Sequence, residues 1–135
     1  MLLYPGDAMK WIKAGLEYTG EQTKRSVVIS AAGGQGADWS MAPHPSPIAG
    51  STLDGRVRAV VEFEREGAGA GGKGDLGSSL FVKVDGQIVR ECAWVFALGE
   101  MGPFQVGFYG ARPAKGDDVG NLEVRVEVFE VEEQI

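Results

Sequence analysis

The chain has 135 residues, of which 44% are hydrophobic and 24% are charged, and its formal net charge is -6. This size and composition predict one globular domain over residues 1–135, and no apolar run reaches the roughly 18 residues that a membrane-spanning helix needs. The excess of acidic residues argues against a nucleic-acid partner, because phosphate binding favours clustered Lys and Arg. We expect no membrane partner either.

Cys92 and His44 are the single residues of their types. One cysteine cannot form an internal disulfide, and one Cys with one His cannot assemble the usual structural metal sites. We therefore expect no metal site and no cofactor. The first seven residues lack a basic segment and a long apolar stretch, unlike a secretory signal. Together these features favour a cytoplasmic location.

Side chains of alternating polarity predict a long strand over residues 10–18. The face predicted to pack into the core consists of Ile12, Ala14, Leu16 and Tyr18. The opposite face carries Trp11, Lys13, Gly15 and Glu17. A second strand is predicted over residues 24–32, where the β-branched run Val27-Val28-Ile29 is typical of a strand covered on both faces.

Further strands are predicted over residues 56–66, 79–85, 87–96, 104–111 and 121–131. Asp85-Gly86 predicts a two-residue hairpin turn. The alternation shifts phase at Phe129, which predicts a bulge there. In the strand after the hairpin, Cys92 and Trp94 are predicted to share the core face with Ile88.

Two segments are predicted to be loops. Residues 42–47 contain three prolines, each of which removes a backbone donor. Residues 67–77 are rich in Gly and Ala and join two strands, so we expect a flexible exposed connection. With many strands and no helical periodicity, the sequence predicts an all-β sandwich or barrel.

Several separated blocks stand in a recognisable order. They are Trp11-Ile12-Lys13-Ala14-Gly15-Leu16-Glu17-Tyr18, Ser26-Val27-Val28, Asp38-Trp39-Ser40, Cys92-Ala93-Trp94-Val95-Phe96 and Val106-Gly107-Phe108-Tyr109-Gly110-Ala111-Arg112-Pro113. On these blocks the chain resembles the family of concanavalin A-like jelly-roll domains that includes the fungal "regulation of enolase" protein. The resemblance implies a jelly-roll sandwich of two antiparallel sheets, of the lectin/glucanase superfamily. It also implies a metabolic enzyme as a possible partner.

Domains of this family carry further strands upstream of the tryptophan-lysine strand, whereas this chain begins almost at that strand. The resemblance therefore implies either a sequence that starts late or a jelly roll that lacks N-terminal strands. An unpaired sheet edge normally invites pairing with another chain. We accordingly expect a possible homodimer, or a partner's strand, at the N-terminal edge.

The non-core face of the first long strand is the candidate ligand surface. An aromatic ring beside a Lys-Glu pair suits a carbohydrate or a small polar ligand, and a concave sheet offers a groove for it. The candidate ligand-binding residues are Trp11, Lys13, Glu17, Asp38, Trp39, Gln105 and Tyr109. The alternative is that Lys13 and Glu17 form a salt network while Trp11 merely covers the sheet.

Asp38-Trp39-Ser40 has two interpretations. It is typical of a turn in which the Asp oxygen caps backbone N–H groups and Trp39 packs against the sheet edge. Alternatively, Asp38 and Trp39 line one end of the groove.

The acidic run Glu62-Phe63-Glu64-Arg65-Glu66 allows a catalytic alternative. Its three acids share one strand face, and retaining glycosidases use two carboxyls roughly 5 Å apart. The middle acid is not Asp, and no cluster of aromatic subsites accompanies the run, so a solvated face is the better interpretation. We therefore predict a non-catalytic binding or regulatory module, with a glycoside-active enzyme using Glu62 or Glu66 as the alternative.

Overall fold

The computed structural model describes residues 1–3, 9–18, 24–32, 36–43, 58–67, 76–96, 104–111 and 123–132. Eight strands form within these ranges: β1 (Leu2–Leu3), β2 (Lys10–Tyr18), β3 (Lys24–Ala32), β4 (Asp38–Pro43), β5 (Val61–Arg65), β6 (Leu80–Val84), β7 (Gln87–Cys92) and β8 (Gln105–Val106). The described part of the chain contains strands, turns and irregular segments but no helix, so the all-β prediction is confirmed. No helix there could cross a membrane.

The strands form two antiparallel sheets. One has five strands in the order β4-β3-β2-β1-β8, and the other has three in the order β5-β6-β7. β1 pairs with β2 on one side and with β8 on the other, so the short N-terminal strand lies inside the sheet. The edges of this five-stranded sheet, over the residues described, are β4 and β8.

One buried cluster joins the two sheets. Leu2, Ile12 and Val28 come from the five-stranded sheet. Leu80, Val82, Cys92 and Val95 come from the three-stranded sheet and the turn that follows it. Ile12, Val82 and Val84 are fully inaccessible to solvent. The predicted inward face of β2 is therefore confirmed at Ile12, and Cys92 packs in the core as the sequence predicts.

The hairpin between β6 and β7 has the predicted turn. Asp85 and Gly86 both have positive φ angles, 50° and 77°, as a two-residue type I′ turn requires. Asp85 also fixes the neighbouring segment, because its Oδ1 accepts a hydrogen bond of 2.8 Å from the Val60 N–H. The Asp85 N–H in turn donates to the Val60 carbonyl at 2.9 Å.

A bulge in β7 changes which of its side chains face the core. Val82 lies opposite Arg90, but Lys83 lies opposite Ile88, so Val89 is the extra residue. Ile88 therefore points to solvent on the side of the three-stranded sheet away from the core, where it is 60% exposed, while Cys92 is buried. The prediction that Ile88 and Cys92 share a face is wrong, because simple alternation does not survive an inserted residue.

Three predicted strands are shorter in the structure. β5 covers 61–65 rather than 56–66, and β8 covers only 105–106 of the predicted 104–111. β7 ends at Cys92 because the chain turns there, with the Phe96 N–H donating to the Ser78 carbonyl at 2.9 Å. That turn brings Val95 into the core.

Residues 123–132 are not part of any strand, contrary to the prediction of a strand over 121–131. Their valines are exposed rather than packed against a sheet. No described strand forms a ladder with Phe129, so the phase change there does not produce a bulge within the described part of the chain. Among the strands described, a bulge lies in β7.

Residues 38–40 are strand rather than turn. They begin β4 and pair with β3, with Ser30 opposite Asp38 and Ile29 opposite Trp39. Asp38 therefore lies in a strand and not in a turn, and its carboxylate accepts a hydrogen bond from the Arg90 guanidinium of β7. Residues 44–47 of the predicted proline loop and 68–75 of the predicted glycine-rich loop lie outside the described residues.

Burial of Cys92 makes stability depend on pH in the alkaline range. Burial raises the pKa of this thiol in the folded chain, so the unfolded chain loses the proton first as pH rises. We expect the free energy of unfolding to fall above about pH 9, the ordinary pKa of the thiol. Urea unfolding of wild type and Cys92→Ala, kept below the ordinary lysine pKa of 10.5, measures this. Equal pH slopes for the two proteins would contradict the expectation.

Candidate functional site

The face of the five-stranded sheet that points away from the core is here called the outer face. Neighbouring residues on a strand point to opposite sides, so Trp11 and Lys13 lie on this face because Ile12 is in the core. Residues directly opposite each other in adjacent strands share a face. Leu3 lies opposite both Trp11 and Gln105, which places Gln105 on the outer face too.

The same register places Trp39 on the outer face. Lys13 lies opposite Ile29, and Ile29 lies opposite Trp39. Trp39 is therefore two strands from Lys13 at the β4 edge, where it is 58% exposed. Trp11 is half-buried in the middle of the sheet.

Lys13 and Tyr109 meet on this face. The Lys13 ammonium lies 5.9 Å from the centroid of the Tyr109 ring, within the range of a cation–π contact. Tyr109 is 52% exposed, so about half of its surface remains accessible to solvent. Tyr109 follows β8, and its contact with Lys13 spans the short strand β1 between β8 and β2.

Lys13 also pairs with Glu17, four residues along the same strand, at 3.3 Å between Nζ and Oε1. Positions four apart on a strand are separated by about 13 Å, so both side chains must lie along the strand to meet. Gly15 lies between them, and no atom is near the position that a Cβ would take there. The missing side chain leaves room for the ion pair to cross Gly15.

The electrostatics of Lys13 follow from these contacts. Partial burial alone would lower the pKa of its ammonium, but hydrogen bonding to Tyr109 and Glu17 outweighs this and raises the pKa above its ordinary value. The side chains of Lys13 and Glu17 remain 26% and 43% exposed. An accessible pair of this kind contributes only about 0–1 kcal/mol to stability, so both of its charges remain available to a ligand.

Six of the seven candidate ligand residues thus share the outer face. The exception is Asp38, which lies opposite Ser30 and so on the side of Ile12. There it joins the two sheets through Arg90. The sequence contains no signal for this link, because the bulge in β7 determines where Arg90 points.

A cavity of about 410 Å³ adjoins the outer face at the β8 edge. Its lining consists of Met1, Leu3, Gln105, Val106, Gly107 and Phe108. The backbone on its floor is fixed by a reciprocal pair of hydrogen bonds, from the Gly107 N–H to the Met1 carbonyl at 3.0 Å and from the Met1 amine to the Gly107 carbonyl at 2.8 Å. Gln105 is the one candidate ligand residue that lines it.

The acidic run lies on the other sheet. Glu62 and Glu64 of β5 both face Lys83 of β6, which lies opposite Glu62 and forms an ion pair with Glu64. Hydrogen bonding to Glu64 raises the pKa of the Lys83 ammonium. Glu66 is beyond the strand, and its carboxylate is 3.5 Å from the Ser79 N–H. Lys83 therefore lies beside Glu62 and Glu64 on the same face of the three-stranded sheet.

Metal binding has no candidate among the residues described. Within that part of the chain, no group of three or more His, Cys, Asp or Glu side chains is placed to hold an ion. His44 lies outside the described residues.

Comparison with known proteins identifies a fungal relative. The chain is 36% identical over 115 residues to the uncharacterized protein AN7484 of Emericella nidulans, an alignment that covers 84% of this chain and 50% of that protein. The chain thus spans about half the length of the curated relative it matches. No family model matches the chain, and no solved structure does.

Proposed function

We propose that this domain is a non-catalytic binding module whose outer face takes a carbohydrate or another small polar ligand. The observation that carries the proposal is the arrangement on that face, where the exposed rings of Trp39 and Tyr109 flank the accessible Lys13–Glu17 pair. We further propose that the two sheets belong to a concanavalin A-like jelly roll, as the sequence resemblance implies. A cytoplasmic location is part of the same proposal.

The chemistry of the face suits such a ligand. Aromatic rings offer apolar surface with a polar edge, on which the C–H faces of a sugar ring pack. The ammonium of Lys13 donates hydrogen bonds and the carboxylate of Glu17 accepts them, so a hydroxyl can bind between the two. The face could alternatively recognise a metabolic enzyme, in line with the enolase link of the resembled family.

The ligand proposal predicts a measurable loss of binding in two variants. Trp39→Ala and Tyr109→Ala should each weaken binding of a glycan selected on an array by about tenfold, the equivalent of about 1.4 kcal/mol. Isothermal titration calorimetry on the folded variants measures this. Both rings are exposed, so their removal should leave the unfolding midpoint nearly unchanged.

Phe129→Ala is the matched control. Phe129 is 53% exposed, against 52% for Tyr109, and it lies outside the strands of the five-stranded sheet. It should bind as wild type does. Unchanged affinity in both Trp39→Ala and Tyr109→Ala would refute the site. Release of reducing sugar that disappears in Glu62→Gln would instead favour the glycoside-active alternative.

A further inference from the structure

The cavity at the β8 edge lies on the same side of the five-stranded sheet as the proposed ligand face. Leu3 lies opposite both Trp11 and Gln105, so it points to the outer face with them. Gly107 follows Gln105 by two residues, and its reciprocal hydrogen bonds with Met1 continue the β1–β8 ladder by one more pair. A side chain at position 107 would therefore also point to the outer face. Leu3, Gln105 and Gly107 all line the cavity, which places it on that face.

The cavity is close to the charged pair that the proposed function uses. Continued by one residue, the β1–β2 register sets Met1 opposite Lys13. Gly107 is bonded to Met1, so the Cα atoms of Lys13 and Gly107 are two strand spacings, about 10 Å, apart. The Tyr109 ring, 5.9 Å from the Lys13 ammonium, directly follows the segment 105–108 that lines the cavity. A ligand bound at Lys13 and Tyr109 thus has the cavity within reach of one substituent.

The side chains of the lining favour an apolar group. Met1, Leu3, Val106 and Phe108 are apolar, and Gln105 carries the one polar side chain among the lining residues described. A sugar ring that filled the cavity would turn hydroxyls toward apolar side chains, and a hydroxyl that loses water without gaining a partner is unfavourable. An aryl or alkyl group has no such cost and gains by leaving water.

The volume is sufficient for such a group. An apolar protein cavity of about 150 Å³ can hold benzene. The cavity at the β8 edge has a volume of about 410 Å³, so it has room for a phenyl ring or a short alkyl chain.

We propose that this cavity binds an apolar substituent, aryl or short alkyl, of the carbohydrate that occupies the outer face. The ligand class is then a glycoside with an apolar aglycone, the group bonded to the sugar, rather than a free sugar. The sugar contacts Lys13, Glu17 and Tyr109. The aglycone lies over Gly107 and against Leu3. The inference rests on the proposed function, because the cavity by itself does not select a sugar.

Paired glycosides test the inference by isothermal titration calorimetry. The probes are the methyl and the phenyl glycoside of the sugar that a glycan array selects, together with phenol alone. The phenyl glycoside should bind about tenfold more tightly than the methyl glycoside, because its ring leaves water and the methyl group is too small to fill the cavity. Phenol should bind more weakly than the phenyl glycoside, because it lacks the sugar contacts.

The outcomes separate this inference from the proposed function. Equal affinities of the two glycosides would overturn the inference and leave the proposed function intact. Phenol that binds as tightly as the phenyl glycoside would also overturn it, because the cavity would then act apart from the sugar. If neither glycoside binds, the proposed function fails and the inference fails with it.

Substitutions at Gly107 test where the phenyl ring binds. Nothing lies within 4 Å of the position of a Cβ at Gly107, and its φ is not positive, so a larger side chain is compatible with the backbone. Gly107→Leu should fill the cavity and abolish the preference for the phenyl glycoside. Gly107→Ala is the matched control, since it adds one methyl group and should retain most of the preference. A preference that survives in Gly107→Leu would exclude the cavity as the aglycone site.

Tyr109→Ala distinguishes the sugar contact from the aglycone contact. It removes a ring that the sugar uses, so both glycosides should lose affinity by the same factor and the preference for the phenyl glycoside should persist. The ratio of the two affinities is the readout, because a general loss of sugar binding does not change it. If Tyr109→Ala abolished the preference and left the methyl glycoside unaffected, the phenyl ring would bind on Tyr109 and the inference would be wrong.

Discussion

Replacing Ile12 by alanine should lower the free energy of unfolding by about 2–5 kcal/mol. Ile12 is fully inaccessible to solvent and belongs to the cluster that joins the two sheets. Alanine removes three carbons of its side chain and leaves a cavity that the surrounding β-sheet cannot easily collapse into, because the position is held by ladders to β1 and β3. Urea unfolding followed by tryptophan fluorescence or circular dichroism measures the loss.

Ile88→Ala is the matched control for this prediction. It makes the same chemical change at a position that is 60% exposed, on the far side of the β7 bulge. We expect a change within about 0.5 kcal/mol. If Ile88→Ala destabilised the domain as much as Ile12→Ala does, the bulge would be misplaced, and the simple alternation that sets Ile88 beside Cys92 would be correct after all.

The strands that could be predicted from the sequence share one physical property. Polar and apolar residues alternate in β2 and β6, because one face of each strand is exposed to solvent and the other is buried. This alternation is visible in the sequence as a period of two. The Asp85-Gly86 turn could be predicted because few residues tolerate its positive φ angles. In each case the local sequence is sufficient to define the structure.

The features that could not be predicted depend on non-local partners. The β7 bulge falls in Ile88-Val89, where both residues are apolar, so the pattern does not indicate which of them enters the core. Residues 124–128 alternate as clearly as β6 does, yet they belong to no strand in the part of the chain that the structure describes. A period of two shows that a segment can pair, and only the fold supplies the partner.

The candidate site could be predicted in part for the same reason. The alternation of side chains along β2 correctly places Lys13 and Glu17 on the face away from the core, because this alternation depends only on that strand. The faces of Trp39 and Asp38 depend on the register between β3 and β4, which the sequence does not contain. Interpreted as a turn, residues 38–40 have no defined face, so the sequence could not show that Asp38 lies away from Trp39.

Gly86→Val should cost about 1–3 kcal/mol of stability, because it forces a β-branched residue into a left-handed conformation. Gly86 has a φ of 77°, and the preceding Asp85 has a φ of 50°, so the whole turn needs positive φ. The turn also sets the pairing of β6 with β7 and holds Val60 through Asp85. Strain there therefore acts on all three strands of the smaller sheet. Thermal and urea unfolding measure the effect.

Gly15→Val is the control, since it introduces the same side chain at a glycine within β2. The backbone of Gly15 is not left-handed, and nothing lies within 4 Å of the position of its new Cβ. A β-branched residue suits a strand interior, so we expect stability to be unchanged or slightly higher. Because valine would occupy the space beneath the Lys13–Glu17 pair, ligand binding should nevertheless fall. A loss of stability at Gly15 equal to that at Gly86 would show that side-chain volume, rather than the sign of φ, sets the cost.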